Sequence, residues 1–376
     1  MRFALLTIWL SVAVRWVCGQ NPGPLAPAKL GGFFGFIDTS GIAIVPHRLA
    51  LGQLAFHEGM TDVRDADGRW GFITAVGLEA VPPAFDDVEF FSEGLCVVKK
   101  EGRYEYVDKN GRRPFDLDFD SAGPFCEGLA AIKKGSTWGF IDKTGKTVLE
   151  PMFDDALHFS EGFAPVKKAG KWSAVDRLGR PVAPFDFDEF YPFRHGRAKV
   201  KKNGLYGVID KAGKFVLAAQ YEDLTDFDET GHCGAKLEGR WGVLDTSGQA
   251  TAPFVYDLLM APRSGTFAAL KLRPNKSRTD SLWGVVSAKG AIMLSYQYSL
   301  PPEYGDGYFL VYENGFYGYT NELGTTVITP RFKEARAFSL GLAAVREGDY
   351  WGYIDRTGKY KIEPKYENAG SFAATE

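Results

Sequence analysis

The sequence predicts an all-β fold built from tandem β-meander units of about 34 residues, and three observations support this prediction. An aromatic residue, usually followed by Gly, recurs at nearly constant spacing along the 376-residue chain. A short polar residue and a Gly follow it at fixed distances in each copy, as β-hairpin turns require. The segments between the turns alternate apolar and polar residues without a helical period.

Ten aromatic anchors define the repeat, and most consecutive anchors are 34 residues apart. Self-similarity at such a period is typical of architectures in which stacked units bury the sheet faces that one unit leaves exposed. We assign residues 20–376 to this array. The anchors are Phe34, Trp70, Tyr104, Trp138, Trp172, Tyr206, Trp241, Trp283, Tyr317 and Trp351.

Two columns of each unit predict a hairpin turn. Four residues after the anchor stands Asp, or in some units Asn, Ser or Thr, whose side-chain oxygen can accept hydrogen bonds from the backbone ahead of it. Seven residues after the anchor stands Gly in all ten units, and Gly adopts the positive φ that closes a type I turn with a G1 bulge. In the unit of Trp138 these residues are Asp142 and Gly145.

Further strands are predicted on both sides of this turn. In "LAAIKKGSTWGFID" an apolar and polar strand, a short turn and the anchor strand follow one another. After the hairpin, "EPMFDDALHFSEG" holds a proline break, a short strand and a Gly turn that recurs in most units. The Gly directly after the anchor is expected to permit close approach of a neighbouring backbone. It is absent only at Glu105 and Ser173, where we expect less regular units.

These columns resemble the WG, or KWG, repeat family of bacterial proteins. The fullest matches are "STWGFIDKTGKTVLEPMFDDALHFSEGFAPVKKAGKW" and "DYWGYIDRTGKYKIEPKYENAGSF". The resemblance covers roughly Leu25 to Phe372, with a degenerate unit around residues 251–275. It implies a repeated β-meander and an interaction surface. It implies no catalytic residues and no cofactor.

The sequence leaves open whether the array is a propeller-like ring or an open β-superhelix. The array begins in mid-unit with "PLAPAKLGGFFGFID" and ends in mid-unit with "KYENAGSFAATE". The N-terminal strand could therefore complete the sheet of the last unit, which is how propellers protect their edges. An array cut at an arbitrary point would show the same offset ends.

Residues 1–19 are predicted to be a secretory signal peptide. Arg2 precedes an apolar run from Phe3 to Val14, and small residues precede a possible cleavage after Gly19. The run is short for a bilayer span, so we expect none after cleavage and expect an exported protein, periplasmic or extracellular. An uncleaved anchor or a lipoprotein signal at Cys18 are weaker alternatives.

Composition narrows the expected partners. The formal net charge is −3, from 44 Lys and Arg against 47 Asp and Glu, which predicts no electrostatic capture of nucleic acid. Beyond the leader the chain has three cysteines, which are interpreted as small buried residues. A bridge between Cys96 and Cys126 cannot be argued from spacing, and Cys233 would then stay free.

Three sets of residues invite a catalytic or metal-binding interpretation. The repeated Asp column is better explained by turn formation, because Thr74, Ser287 and Asn321 replace Asp there. Alternating Asp residues in "FDLDFD" suggest calcium, but the Gly that an EF-hand loop needs is absent and a half-buried strand has the same alternation. The five histidines are scattered through different units, and no phosphate loop or hydrolase motif is present.

One deviation from the repeat suggests a binding site. The spacing between Trp241 and Trp283 grows to 42 residues near "KLRPNKSRTDSL", which predicts a lengthened hairpin. Insertions in repeat proteins lie in loops and often on the binding face, although a drifted solvated loop is the simpler explanation. The candidate binding residues are the basic side chains Lys271, Arg273, Lys276 and Arg278.

We therefore predict an exported, non-enzymatic repeat scaffold that binds another protein. A second hypothesis is binding of a cell-envelope polysaccharide, because exposed Trp and Tyr rings stack on sugars. It requires the anchor aromatics to face solvent. A third is a propeller-type hydrolase or lyase, which requires carboxylates or histidines of particular units to converge on one axis.

Overall fold

The computed structural model describes residues 23–49, 55–65, 67–271 and 282–375. These residues form 37 β-strands in ten small antiparallel sheets, and none of them forms a helix. The sheets are the blades of a β-propeller, numbered 1 to 10 in chain order from the first anchor. The predicted all-β repeat fold is therefore confirmed.

Each blade repeats one strand order. A short strand comes first where it is present, a longer strand follows it, and the strand that carries the anchor comes next. Blades 1 to 5 contain β1 (Ala26–Leu30), β2 (Phe33–Ile37) and β3 (Ala43–Leu49); β4 (Met60–Arg64), β5 (Trp70–Thr74) and β6 (Glu79–Phe85); β7 (Asp87–Val88), β8 (Leu95–Lys100) and β9 (Arg103–Asp108); β10 (Ser121–Ala122), β11 (Leu129–Lys134), β12 (Thr137–Asp142) and β13 (Thr147–Phe153); β14 (Asp155–Ala156), β15 (Phe163–Lys168) and β16 (Lys171–Asp176).

Blades 6 to 10 are four-stranded throughout. They contain β17 (Glu189–Phe190), β18 (Arg197–Lys202), β19 (Leu205–Asp210) and β20 (Phe215–Tyr221); β21 (Asp223–Leu224), β22 (His232–Leu237), β23 (Arg240–Asp245) and β24 (Ala250–Tyr256); β25 (Leu258–Leu259), β26 (Thr266–Lys271), β27 (Leu282–Ser287) and β28 (Ile292–Tyr298); β29 (Glu303–Gly305), β30 (Tyr308–Glu313), β31 (Phe316–Asn321) and β32 (Thr326–Phe332); β33 (Glu334–Ala335), β34 (Leu342–Arg346), β35 (Trp351–Asp355) and β36 (Tyr360–Tyr366), while the last strand, β37 (Asn368–Ala369), joins blade 1.

The ring closes between the two ends of the chain. Strand β37 pairs antiparallel with β1, with Ala369 opposite Ala28. Beyond this pair, Leu25 and Ala373 exchange two backbone hydrogen bonds of 2.9 Å. Of the two arrangements that the sequence left open, the structure has the closed ring, so the first sheet has no free edge at β1.

The predicted turn chemistry is present in the hairpin after β12. One carboxylate oxygen of Asp142 accepts the backbone N–H groups of Thr144 at 2.9 Å and of Lys146 at 3.1 Å. Gly145 has a φ of +83° and its N–H donates to the carbonyl of Asp142. The hydrogen bonds from Thr144 to Asp142 lower the pKa of this carboxyl. The Asp column therefore caps turns.

The Gly directly after the anchor is required by a bulged neighbouring strand. A Cβ on Gly139 would lie 2.6 Å from the carbonyl oxygen of Leu149 and from the nitrogen of Pro151, where β13 bulges over the anchor strand. Blades 3 and 5 carry a side chain at this position, and both lack the strand that corresponds to β13. The side chain of Glu105 instead pairs with Arg113, and the Ser173 hydroxyl donates to the carbonyl of Ala183.

The lost strand of blade 3 corrects one interpretation of the sequence. Residues 112–118, which include most of "FDLDFD", do not form the half-buried strand that their alternation suggested. Asp116 and Asp118 both pair with Arg113 at 3.0 Å, whereas Asp120 accepts the N–H of Gly135 and pairs with Arg103. In the part of the chain that the structure describes, no group of three or more His, Cys, Asp or Glu could hold a metal ion.

The hydrophobic core lies between successive blades, and the large and small side chains that fill it differ from one interface to the next. Between blades 4 and 5, the large Phe140 packs against the small Ala156 and Ala164. Between blades 7 and 8, the smaller Val243 packs against Leu259 and Phe267. Large and small residues thus exchange places at equivalent positions, which is how cores tolerate substitution when the total volume is kept.

The cysteines behave as buried or half-buried thiols. Cys96, Cys126 and Cys233 are free, so the bridge between Cys96 and Cys126 is not formed. Burial raises the pKa of Cys233 to about 12, which keeps this thiol protonated at neutral pH. The predicted signal peptide, including Cys18, lies outside the described residues. None of the described residues belongs to a helix long and apolar enough to cross a membrane.

Candidate interaction surface

The propeller has two faces, which differ in the turns that they carry. The turn face holds hairpins such as Asp142–Lys146 together with the Gly turns that precede β8, β11 and their equivalents, because Leu129 lies opposite Asp142 in the sheet. The tip face lies at the other ends of the same strands, where two-residue loops such as Glu101–Gly102 connect to the anchor strands. Each face repeats its own set of polar contacts.

On the turn face, a carboxylate joins the Gly turn of five blades to the next blade. Glu93, with a φ of +53°, accepts the N–H of Gly128 at 2.9 Å and pairs with Lys143 at 3.0 Å. Burial alone would raise the pKa of Glu93, but the hydrogen bonds from Lys143 and Gly128 lower it. The equivalent ion pairs join Glu58 to Lys109, Glu127 to Arg177, Glu161 to Lys211 and Asp306 to Arg356.

Where the acid of this pair is missing, the cation is missing as well. His195 takes the Glu position in blade 6, and the partner position in blade 7 is Thr246. Ser264 takes it in blade 8, with Glu322 at the partner position. The two positions therefore change together along the chain, which supports a structural role for the turn-face ion pairs.

A second set of ion pairs lies on the tip face of four blades. In blades 2, 3, 5 and 7 the residue before the anchor is Arg or Lys, and it pairs with an Asp that follows the last strand of its blade. The Nζ of Lys171, for example, lies 2.6 Å from the carboxylate of Asp188. The other pairs are Arg69–Asp86, Arg103–Asp120 and Arg240–Asp257.

Three successive blades place aromatic residues at this position instead. They are Phe316 in blade 9, Tyr350 in blade 10 and Phe33 in blade 1, and their exposed fractions are 42%, 52% and 49%. We call these three residues the aromatic arc. Because β37 closes the ring onto β1, blades 10 and 1 are neighbours and the arc occupies three adjacent blades. An exposed apolar group of this kind is typical of an interaction site.

The candidate basic hairpin belongs to the blade that precedes the arc. Lys271 is the last residue of β26 and is exposed, with its Nζ 5.4 Å from the ring centre of Tyr256 and 5.2 Å from that of Tyr296. Arg273, Lys276 and Arg278 lie outside the described residues. The strands β26 and β27 pair as β30 and β31 do, and Phe316 is the first residue of β31.

The anchor aromatics are poorly placed to stack on sugars. Trp241 and Trp351 are buried, and the other eight anchors are half-buried. In most blades a cation from the neighbouring strand also lies over the anchor ring, as Lys133 does 5.9 Å from Trp138 and Lys99 does 5.3 Å from Tyr104. The polysaccharide hypothesis required exposed anchors, so this column does not support it.

A cleft of about 270 Å³ opens between blades 8 and 9. Ala268, Val285 and Phe309 are among its apolar lining residues, and Arg263 and Glu303 are its charged ones. Ala268 is half-exposed there, whereas Ala131 and Ala344 are buried at the same position of their blades. No pattern in the sequence predicts a cleft at this interface.

The comparison with protein families agrees with the repeat. The profile of the family described as WG containing repeat matches seven segments, which together span more than half of the chain. The matched segments are residues 70–104, 106–138, 138–172, 173–206, 206–241, 317–351 and 351–374. No curated protein matches the chain by sequence.

A solved structure with a TM-score above 0.5 shares the fold. A structure titled as the eukaryotic initiation factor is similar over 92% of this chain and 97% of its own, with a TM-score of 0.56 and 10% identity. Sqt1 of Saccharomyces cerevisiae matches 81% of this chain and 92% of its own, with a TM-score of 0.37 and 11% identity. At these identities the likeness concerns the fold alone.

Proposed function

Because the chain belongs to the WG-containing repeat family, we propose that it is an exported, non-enzymatic scaffold that binds another protein through the aromatic arc. The observation that carries this proposal is the contrast within one column of the tip face. Blades 2, 3, 5 and 7 place a paired cation before the anchor, whereas blades 9, 10 and 1 place exposed rings there.

A protein is the partner that this surface fits best. Aromatic residues are enriched at the centres of protein interfaces, where burial of a large ring contributes much of the binding energy. Blade 8 precedes the arc, so Lys271 at the end of its strand β26 would add positive charge at one end of the interface. The proposed partner therefore presents an apolar patch beside acidic residues. Export rests on the apolar leader from Phe3 to Val14.

The test compares partner capture by two variants of the full chain. The triple variant Phe33→Ser, Phe316→Ser, Tyr350→Ser removes the arc. The control variant Leu178→Ser, Leu323→Ser removes two exposed leucines of the turn face, whose exposed fractions are 72% and 88%. Each protein is cross-linked in an envelope extract, and captured proteins are identified by mass spectrometry and then titrated as purified proteins.

We expect a partner that the wild type and the leucine control bind equally and that the arc variant binds at least tenfold more weakly, since loss of a buried ring commonly costs about 2 kcal/mol or more. Equal binding by all three proteins would show that the partner docks elsewhere. A measured turnover without any stable partner would contradict the scaffold function itself.

A further inference from the structure

The cleft between blades 8 and 9 has an occupied counterpart between blades 6 and 7. Lys199 is the third residue of β18 and lies opposite Val208, as Ala268 is the third residue of β26 and lies opposite Val285. The side chain of Lys199 is only 18% exposed, so it fills the space that the small Ala268 leaves empty. The side chain of Lys199 thus occupies, within the protein itself, the place that a ligand would take in the cleft.

The contacts of Lys199 show what this site recognises. Its ammonium group donates to the carbonyl of Leu224 at 3.2 Å and lies 3.6 Å from the carboxylate of Asp226. Two aromatic rings lie nearby, with ring centres 4.2 Å away at Tyr191 and 5.8 Å away at Tyr206. Carboxylate, carbonyl and aromatic faces together satisfy a primary ammonium group removed from water.

The cleft offers a carboxylate and a backbone carbonyl, which are groups of the same kinds. Asp226 stands 20 residues after its anchor Tyr206, and Glu303 stands 20 residues after Trp283. Both Glu303 and Pro301 line the cleft. The register of β29 differs by one residue from that of β21, because Glu303 lies opposite Leu310 whereas Thr225, the neighbour of Asp226, lies at the corresponding place opposite Gly234. The ring of Tyr191 has no equivalent, since Met260 stands at its position.

The cation that neighbours the acid is also repeated. Arg194 pairs with Asp226 at 3.8 Å beside Lys199, and Arg263 occupies the equivalent bridge position before β26. An arginine at the rim is therefore compatible with an ammonium group inside, because the two cations already coexist around Asp226. Ala268 stands where Lys199 would supply the ammonium group.

We propose that the cleft between blades 8 and 9 binds a primary alkylammonium group, of the kind carried by a lysine side chain or a free aliphatic amine. The methylene chain packs on the partly exposed Ala268, above the buried Val285 and Phe309 at the floor of the cleft, and the ammonium group binds the carboxylate of Glu303 and the carbonyl of Pro301. The cleft opens beside the Ser264–Gly265 turn, whereas the aromatic arc lies on the tip face. This site is therefore independent of the proposed partner.

The test uses n-butylamine as the probe, because it reproduces the lysine side chain from Cβ to Nζ. The full chain, labelled in its methyl groups, is titrated and the signals of Ala268 and Val285 are followed by NMR. The uncharged analogue 1-butanol is the matched control ligand. Nα-acetyl-L-lysine-N-methylamide is titrated in parallel to distinguish a lysine in a polypeptide from a free amine.

We expect saturable shifts with n-butylamine and affinity about tenfold lower for 1-butanol, since a hydrogen bond to a charged group contributes about 1.5–3 kcal/mol. Glu303→Gln should weaken the binding of n-butylamine by a similar factor. Glu363→Gln, at an exposed strand position of blade 10, should leave this binding unchanged. Ala268→Lys should occupy the cleft itself and abolish binding. Tighter binding of the lysine amide than of n-butylamine supports a polypeptide source, and equal binding supports a free amine.

Two results would overturn the proposal. One is that n-butylamine shifts neither methyl signal, and the other is that 1-butanol binds as tightly as n-butylamine. Unchanged binding of n-butylamine to Glu303→Gln would likewise show that Glu303 does not bind the ammonium group. Because Glu303 is exposed in the cleft wall, this variant keeps the test decisive if Ala268→Lys fails to fold.

Discussion

Glu93 in blade 3 is joined to Lys143 in blade 4 at 3.0 Å, although fifty residues separate them in the chain. The same carboxylate accepts the N–H of Gly128, so one side chain fixes two turns of the next blade. Repetition of this contact around the turn face means that the blades are connected by charge as well as by apolar packing. The contribution of this ion pair to stability can therefore be tested by protonating the carboxylate of Glu93.

The first prediction concerns acid stability. The pKa values of Glu58, Glu93 and Glu161 lie below their ordinary value of 4.5, because hydrogen bonds and the charge of Lys109, Lys143 and Lys211 outweigh burial. Their contribution to stability is thus present above the unfolded pKa and is lost as the pH falls through the folded pKa. The melting temperature, followed by circular dichroism, should fall as the pH drops below 4.5.

The triple variant Glu58→Gln, Glu93→Gln, Glu161→Gln should melt lower at neutral pH and show a smaller further loss in acid. The control replaces the exposed Glu79, Glu150 and Glu363 by Gln and should keep the wild-type profile. An identical acid profile for both triple variants would contradict the role of the turn-face pairs.

The second prediction concerns the bulged strand. Gly139→Ser places a Cβ against the carbonyl of Leu149 and the ring nitrogen of Pro151, so we expect the free energy of unfolding to fall by about 1–3 kcal/mol. Hydrogen exchange of β13 should also accelerate. The matched control is Ser173→Gly in blade 5, which already lacks the strand equivalent to β13. This variant loses one hydrogen bond, at a cost of about 1 kcal/mol. Equal protection of β13 in wild type and Gly139→Ser would be the contrary result.

The third prediction concerns the exchange of large and small core residues. Phe309→Ala should lower the free energy of unfolding by about 3–5 kcal/mol, because Phe309 is fully packed beside Val285. Adding Val285→Phe reproduces the pair of Phe140 and Ala164 and should recover a substantial part of the loss. Chemical denaturation of the two single variants and the double variant measures the coupling. Additive losses would mean that the two positions do not share volume.

The fourth prediction concerns closure of the ring. Deleting residues 368–376 removes β37 and leaves the N–H and C=O groups of β1 without their partners. Exposed edges of this kind pair with other chains, so we expect a lower melting temperature and larger, concentration-dependent assemblies than the wild type forms. Size-exclusion chromatography with light scattering distinguishes the two proteins. A truncated chain with wild-type mass and stability would show that the closure contributes little.

Features encoded within a few residues were predictable from the sequence. Asp142 and Gly145 define a turn by their own chemistry, and the missing Gly at Glu105 and Ser173 correctly indicated irregular blades. Ring closure was not decided, because the pairing of Ala28 with Ala369 depends on the summed rotation of all blades rather than on local sequence. The Phe and Asp alternation of residues 115–120 was misleading, since Glu105 prevents the strand that it suggested.

The aromatic arc and the cleft were missed for different reasons. The residue before each anchor changes from Arg or Lys to Phe or Tyr, so comparison of that column alone could have revealed Phe33, Phe316 and Tyr350. Lys199 likewise stands in a column of mostly small or apolar residues. The cleft beside Ala268 had no such signal, because an empty volume depends on how the neighbouring blade packs.

The pairing of β1 with β37 also sets the order in which the molecule can be completed. Blade 1 is made from the first and the last described segments, so it stays unfinished until synthesis reaches the C-terminus. The middle blades can stack earlier, since each contacts only its neighbours. Until then β1 keeps an open edge, at which the nascent chain can pair with another chain.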